Sequence, residues 1–197
     1  MRYITAVSLA QAKRQAAADH ILAAARTLVL QGGLDVTMDQ LAEVTGVSRR
    51  TLFRHFDTRE KLLGAAFEVG MAGYRRDLPS YTEYPGDVDR WLRATCEAAH
   101  RMNAAIGPGF FELASRKDLP PDLAAAEKRR RREFRGAMAD IVAVLWRERG
   151  HRGSPSEALL TTVTTHLSPH FTAASTIDAG QSWRTAADLA YTAISNH

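Results

Sequence analysis

"GLDVTMDQLAEVTGVSRRTLFRHFDTREKLL", residues 33–63, is the stretch on which the fold turns. Thr37 followed three residues later by Gln40 has the spacing of a capping box, which opens a helix by satisfying its first free amides. Met38, Leu41, Ala42 and Val44 then give a short helix over about 38–45 an apolar side. Gly46 suits a left-handed turn, where a β-carbon is costly. Ser48 is placed to cap a third helix over 49–55. Asp57 or Thr58 starts a fourth, with Glu60 in its first turn to complement the helix dipole. Capped helix, glycine turn, short basic helix and long helix, in that order, make a helix-turn-helix pattern.

The third helix carries the chemistry. Val47, Leu52 and Phe56 can face inward, which leaves Arg49, Arg50, Thr51, Arg54 and His55 on the outer side. A helix fits the major groove of DNA with its N-terminal residues at the base edges. An arginine fork matches guanine O6 and N7 with two hydrogen bonds, and threonine suits a phosphate or a thymine methyl group. Arg59 and Lys61 open the next helix, where cations oppose the dipole and suit a nearby phosphate. A solvated charged helix is the plain alternative for any arginine-rich stretch. The ordered run of caps and turns around this one favours the nucleic-acid reading.

Outward from this stretch the pattern stays helical, with apolar residues recurring at three and four. Residues 15–31 read as a first helix with a stripe of Ile21, Leu22, Ala25, Leu28 and Val29, and the segment through Lys13 and Arg14 reads as a loose arm. The fourth helix runs over 58–76. Leu78 to Gly86, rich in Pro, Ser, Thr and Tyr, reads as a seam between sub-structures. Further helices are expected near 87–104, 109–116, 121–149, 155–177 and 181–196, about nine in all. Pro169 should kink or split the eighth.

Bulk properties narrow the class. The chain has 197 residues, 45% of them hydrophobic, an ordinary globular composition. Residues 1–64 carry nine Lys/Arg against six Asp/Glu, and residues 65–197 carry seventeen against sixteen, so most of the net charge of +4 sits in the first third. Cys96 is the only cysteine, so no internal disulfide forms. The N-terminus lacks the apolar core of a signal peptide, and no run approaches the roughly 18 apolar residues of a membrane span. A soluble, cytoplasmic protein without a membrane partner is expected.

The 33–63 stretch resembles the TetR family of bacterial transcriptional regulators, through Thr37 before the second helix, the LAEVTGVS core, TLFRHF and the following TREKLL. The resemblance implies an all-α protein. An N-terminal three-helix DNA-binding domain over 1–60, with helix 58–76 linking, would precede a helical effector-binding and dimerisation domain over 61–197. It implies a homodimer on a pseudo-palindromic double-stranded operator, and repression relieved by a small-molecule effector. Carried over to this chain, Thr37 and His55 resemble phosphate contacts, and Arg49, Arg50 and Thr51 fall at base-reading positions. Arg59 matches a basic residue that opens the fourth helix. Phe53 stands where the family often has Tyr, so a hydroxyl bond to phosphate is replaced by ring packing on the backbone. With the capping Ser48 and outward Arg54, these nine residues form the expected DNA-binding set.

The rest of the chain offers weaker signals. Lys128 to Arg132 is a basic run, but consecutive helical residues point all round the axis, and Glu127 and Glu133 flank it. Cys96 with His100, and His166 with His170, are i,i+4 pairs that suit a metal or a polar contact to a ligand; no metal and no cofactor are expected. Phe67, Met71, Trp91, Met102, Phe110, Phe134 and Met138, with His166 and His170, are the candidates to line a pocket for an apolar or aromatic effector. Leu160, Val163, Leu167 and Phe171, with Trp183, Ala187, Ala190 and Ile194, form two stripes expected at a dimer interface. The chain carries no Gly-rich phosphate loop, no G-x-S-x-G, no H-E-x-x-H and no paired Cys motif, so an enzyme is not expected. An architectural or partner-binding DNA protein without an effector is the main alternative; turnover of a bound ligand would be the sign of an enzyme.

Overall fold

The computed structural model describes residues 9–197, the side chains of residues 70–75 excepted. Its helices are α1 (Leu9–Gly32), α2 (Met38–Thr45), α3 (Arg49–Phe56), α4 (Arg59–Arg76), α5 (Val88–Asn103), α6 (Pro108–Ser115), α7 (Pro121–Glu148), α8 (Glu157–His166), α9 (Pro169–Ala173) and α10 (Trp183–Ser195). Among the described residues there is no strand, and no helix is long and apolar enough to cross a membrane.

One departure from the sequence reading and one expected break have local causes. The first helix starts at Leu9, not near residue 15, so Lys13 and Arg14 lie on α1 rather than on a loose arm. Its first half, LAQAKRQAAADH, is built of Ala and straight-chain residues with high helix propensity. That half is almost wholly exposed and so lacks the apolar stripe by which helices are recognised. The long helix over 155–177 is split at Pro169, as expected, into α8 and α9. Proline has no N–H and drives the preceding residue out of the helical region. Ser168 accordingly sits at ψ 151°, and its hydroxyl caps the new helix by accepting from the Phe171 amide.

By contacts the chain forms two compact units, one of residues up to Gly70 with Gly107–Glu127, the other of Met71–Ile106 with Lys128–His197. In the first, Ile21, Ala25 and Val29 of α1, Leu41 of α2, Leu52 of α3 and Leu62, Leu63 and Phe67 of α4 are buried, as are Phe110 and Leu113 of α6. The ends of α1 and α6 meet backbone to backbone. A β-carbon on Gly109 would fall against the Gly33 amide nitrogen and within 2.6 Å of the Val29 carbonyl. Glu112 seals this crossing by accepting from the Leu34 amide at 3.0 Å.

In the second unit Trp91, Leu92, Cys96 and Ala99 of α5 pack with Met138, Ile141 and Leu145 of α7, Leu159 and Val163 of α8, and Ala187, Ala190 and Ile194 of α10. Small residues on α10 let α5 approach closely. The Leu78–Gly86 segment, expected as a seam, lies inside this unit. Trp91 Nε1 donates to the Pro79 carbonyl at 2.9 Å, and the Tyr81 hydroxyl donates to Glu148 at 2.9 Å.

Gly109→Ala is expected to destabilise the protein by about 3 kcal/mol, because backbone cannot yield to the added methyl as a side chain would. Gly136→Ala, in α7 with nothing within 4 Å of the new carbon, should instead stabilise by roughly 0.5–1 kcal/mol. Urea denaturation of the two variants beside the parent checks both signs.

Candidate nucleic-acid interface

α2 and α3 are set by their caps. Thr37 accepts from the Gln40 amide (3.2 Å), and the Gln40 side chain accepts from the Thr37 amide (2.8 Å), closing the capping box. Thr45 turns its hydroxyl back onto the Leu41 carbonyl at 2.6 Å, and Gly46 follows at φ +68°. The Ser48 hydroxyl accepts from the Thr51 amide at 3.3 Å and starts α3. Leu52 is fully buried, and Val47 and Phe56 are half-buried. The opposite side of α3 is thereby turned to solvent.

On that side Arg49, Arg50 and Arg54 are exposed, Thr51 and His55 are half-buried, and Phe53 is 40% exposed. An aromatic ring left this open on a short polar helix serves no core. Thr37 and Ser48 are exposed next to their caps. Arg49 pairs with Asp39 at 3.3 Å, and both groups are solvated. Such a pair adds little stability and opens readily when a better acceptor arrives.

Arg59 has a different place. Its Nε donates to the Val36 carbonyl (2.8 Å), Nη2 donates to the Leu34 carbonyl, and Nη1 pairs with Glu60 (3.1 Å). Lys61 pairs with Asp57 at 3.0 Å. The cations at the start of α4 therefore have local acceptors, and their sequence position alone does not mark a phosphate contact. Arg59 is a tie that holds α4 to the segment before α2.

The other expected sites are divided. Phe67 and Phe110 stack at 5.8 Å in the first unit, whereas Trp91 and Met138 are buried in the second, with Met102 and Phe134 packed partly against that core. Met71 lies outside the residues whose side chains are described. Val163, Leu167, Ala187, Ala190 and Ile194 are buried within the chain itself, so a partner subunit would not touch them; Leu160, Phe171 and Trp183 are half-buried. Periodicity marks a covered face without naming what covers it. In the basic run Arg130 is buried, and Lys128, Arg129, Arg131 and Arg132 are exposed. Among the described residues no three His, Cys, Asp or Glu side chains gather as for a metal.

The second unit also holds a buried polar cluster. His100 Nδ1 lies 2.8 Å from the Thr172 hydroxyl, which accepts from Asn103 Nδ2 at 3.1 Å; Asn103 also donates to the Leu167 carbonyl at 3.1 Å. His100 Nε2, Asn103 Oδ1 and Thr95 Oγ1 are buried without a partner. Phe171 stands edge-on to His100 at 5.8 Å, and His166 tilts against Phe171 at 4.9 Å, while His170 is exposed. Burial drives the His100 imidazolium down to about pKa 4 and the Cys96 thiol up to about 12, so both stay neutral near pH 7. Of this cluster only His100 stood out in the sequence, as half of a pair with Cys96. The signal for the others was polar Thr95 and Asn103 in register with the apolar face of α5.

A helix-turn-helix with an open, basic, aromatic recognition helix defines a DNA-binding protein of the transcriptional-regulator class. Residues 21–66 match the family described as bacterial regulatory proteins, tetR family. No curated protein sequence gives a significant match. A Rhodococcus sp. protein assigned to the TetR-family transcriptional regulators has 22% identity and a TM-score of 0.66 over 92% of this chain and 98% of its own. A tetR-family transcriptional regulator from Streptomyces coelicolor has 15% identity and a TM-score of 0.67 over 92% of this chain and 78% of its own. These two likenesses bear on the fold, and the 21–66 match identifies a TetR-type DNA-binding segment in this chain.

His100 gives a pH signature. Its folded pKa of about 4 lies below the unfolded value near 6.5. The unfolded chain therefore binds the extra proton, and stability present above pH 6.5 is lost as pH falls towards 4. The loss is about 3 kcal/mol from this group. Denaturation of His100→Gln across that window should show a correspondingly shallower fall than the parent; parallel curves would sink the assignment.

Proposed function

We propose that the protein is a homodimeric repressor that leaves a pseudo-palindromic operator when a small, largely apolar or aromatic ligand binds. Residues 1–60 serve as its DNA-binding domain and residues 61–197 as its effector and dimerisation domain. The observation that carries the reading is α3, capped at Ser48, anchored by Leu52 and open to solvent at Arg49, Arg50, Phe53 and Arg54.

Within this reading Arg49, Arg50 and Thr51 read base edges, and Thr37, Ser48, Arg54 and His55 hold phosphates, with Phe53 packed on the backbone. Each good bidentate base contact is worth about 1–3 kcal/mol of discrimination. Selection of sites from random duplexes should return an inverted repeat. Arg49→Ala is expected to flatten preference at particular base pairs, and His55→Ala to weaken all sequences alike. Uniform losses from both would remove the base-reading role.

The dimer rests on outward apolar residues. Leu189 is 50% and Ile177 74% exposed, and Leu160 lines an open groove of about 460 Å³ with Ala139, Val142, Ala143 and Pro155. Leu189→Asp is expected to weaken self-association by tenfold or more while leaving helix content unchanged, as read by sedimentation and circular dichroism. Retention of the dimer would place the interface elsewhere.

The buried cluster supports the effector. Thr172 has one hydroxyl proton, so His100 Nε2 is an orphan donor if Thr172 donates to Nδ1, and an orphan acceptor if it does not. A ligand hydroxyl, both donor and acceptor, serves either arrangement, with the rings of Phe171 and His166 beside it. A neutral aromatic alcohol that raises the melting temperature and releases the selected duplex is the expected effector class.

A further inference from the structure

We propose that the N-terminal half of α1 forms, with the end of the recognition helix, a clamp for a DNA backbone phosphate. Lys13, Arg14 and Ala17 of α1 and Arg54 and His55 of α3 line one groove of about 330 Å³. Every ionisable side chain lining it is basic, and Ala17 leaves the floor open.

The groove gathers its cations without carboxylates. Elsewhere in the same unit Arg49 has Asp39, Arg59 has Glu60, Lys61 has Asp57, and Arg116 has Asp118 and Glu112, while Arg50 stands alone on the outer face of α3. Among the described residues none of Lys13, Arg14, Arg54 and His55 forms an ion pair, and Asp19 of α1 accepts from Gln15 at 2.8 Å rather than from any of them. Like charges gathered without a counter-charge repel, and an anion in the groove offsets that repulsion. Arg54 and His55 sit in the last turn of α3, where the helix dipole favours cations. An anion held there lies beside the helix that meets the DNA, and a backbone phosphate of the bound duplex is the anion that geometry supplies. The inference rests on the DNA-binding reading and adds α1 to the interface.

The test is the salt dependence of binding to the duplex recovered by selection from random DNA. Each phosphate contact contributes about 0.9 to the slope of log K against log salt. The Lys13→Ala/Arg14→Ala double variant should lower that slope by about 1, the share of one phosphate, while selecting the same sequence motif as the parent. Lys13→Arg/Arg14→Lys should retain the slope, and Arg26→Ala, exposed on the same helix outside the groove, controls for charge alone. An unchanged slope in the double variant overturns the clamp, even if millimolar inorganic phosphate binds the groove. So does a loss matched by Arg26→Ala, or one confined to particular base pairs. A parent protein that selects no motif and binds no duplex overturns instead the DNA-binding reading on which the clamp depends. Lys13 and Arg14 are exposed, so the melting temperature should not move.

Discussion

The guanidinium of Arg59 reaches back over the chain to the carbonyls of Leu34 and Val36. Between these two ends lies all of α2 and α3. A helix of eight residues is too short to hold itself in water, so α3 takes its shape from what fixes its ends. Ser48 closes one end and Leu52 pins the middle, while Arg59 ties the start of the next helix to the segment before α2. The outer face is then free to be as polar and charged as its partner requires.

The same economy governs charge. Exposed ion pairs contribute little to stability, yet they decide which cations are available to something else. The first unit gives a carboxylate to the arginines and lysine that shape its turns. Among the described residues it leaves Arg50 and the four basic groups around the α1–α3 groove without one. Sequence counts registered an excess of positive charge in the first third of the chain, but only side-chain pairing shows where the excess resides.

Legibility followed physical range. The capping box at Thr37 and Gln40, the turn at Gly46, the cap at Ser48 and the break at Pro169 are local devices, closed within a few residues, and the sequence displays them directly. The exposed half of α1 was invisible because an apolar stripe records burial, and that half is not buried. Val163, Ala190 and Ile194 were legible as members of an apolar face, but not as core of their own chain rather than of a dimer. Arg59 sits where a phosphate-binding cation would sit, and only the carbonyls of Leu34 and Val36 reveal its other use. His100 and Thr172 are 72 residues apart, so their hydrogen bond had no local signature.

That hydrogen bond also limits what the second unit can accept. Burying a polar atom without a partner costs about 1–3 kcal/mol, and Thr95, His100 and Asn103 of α5 each leave one such atom. A purely hydrocarbon ligand would leave that cost in place. A fully charged one would meet a histidine that burial holds neutral. A neutral molecule with one group that both donates and accepts would remove the cost while the aromatic rings cover its remainder. The proposed effector class thus follows from the unpartnered atoms of this one cluster.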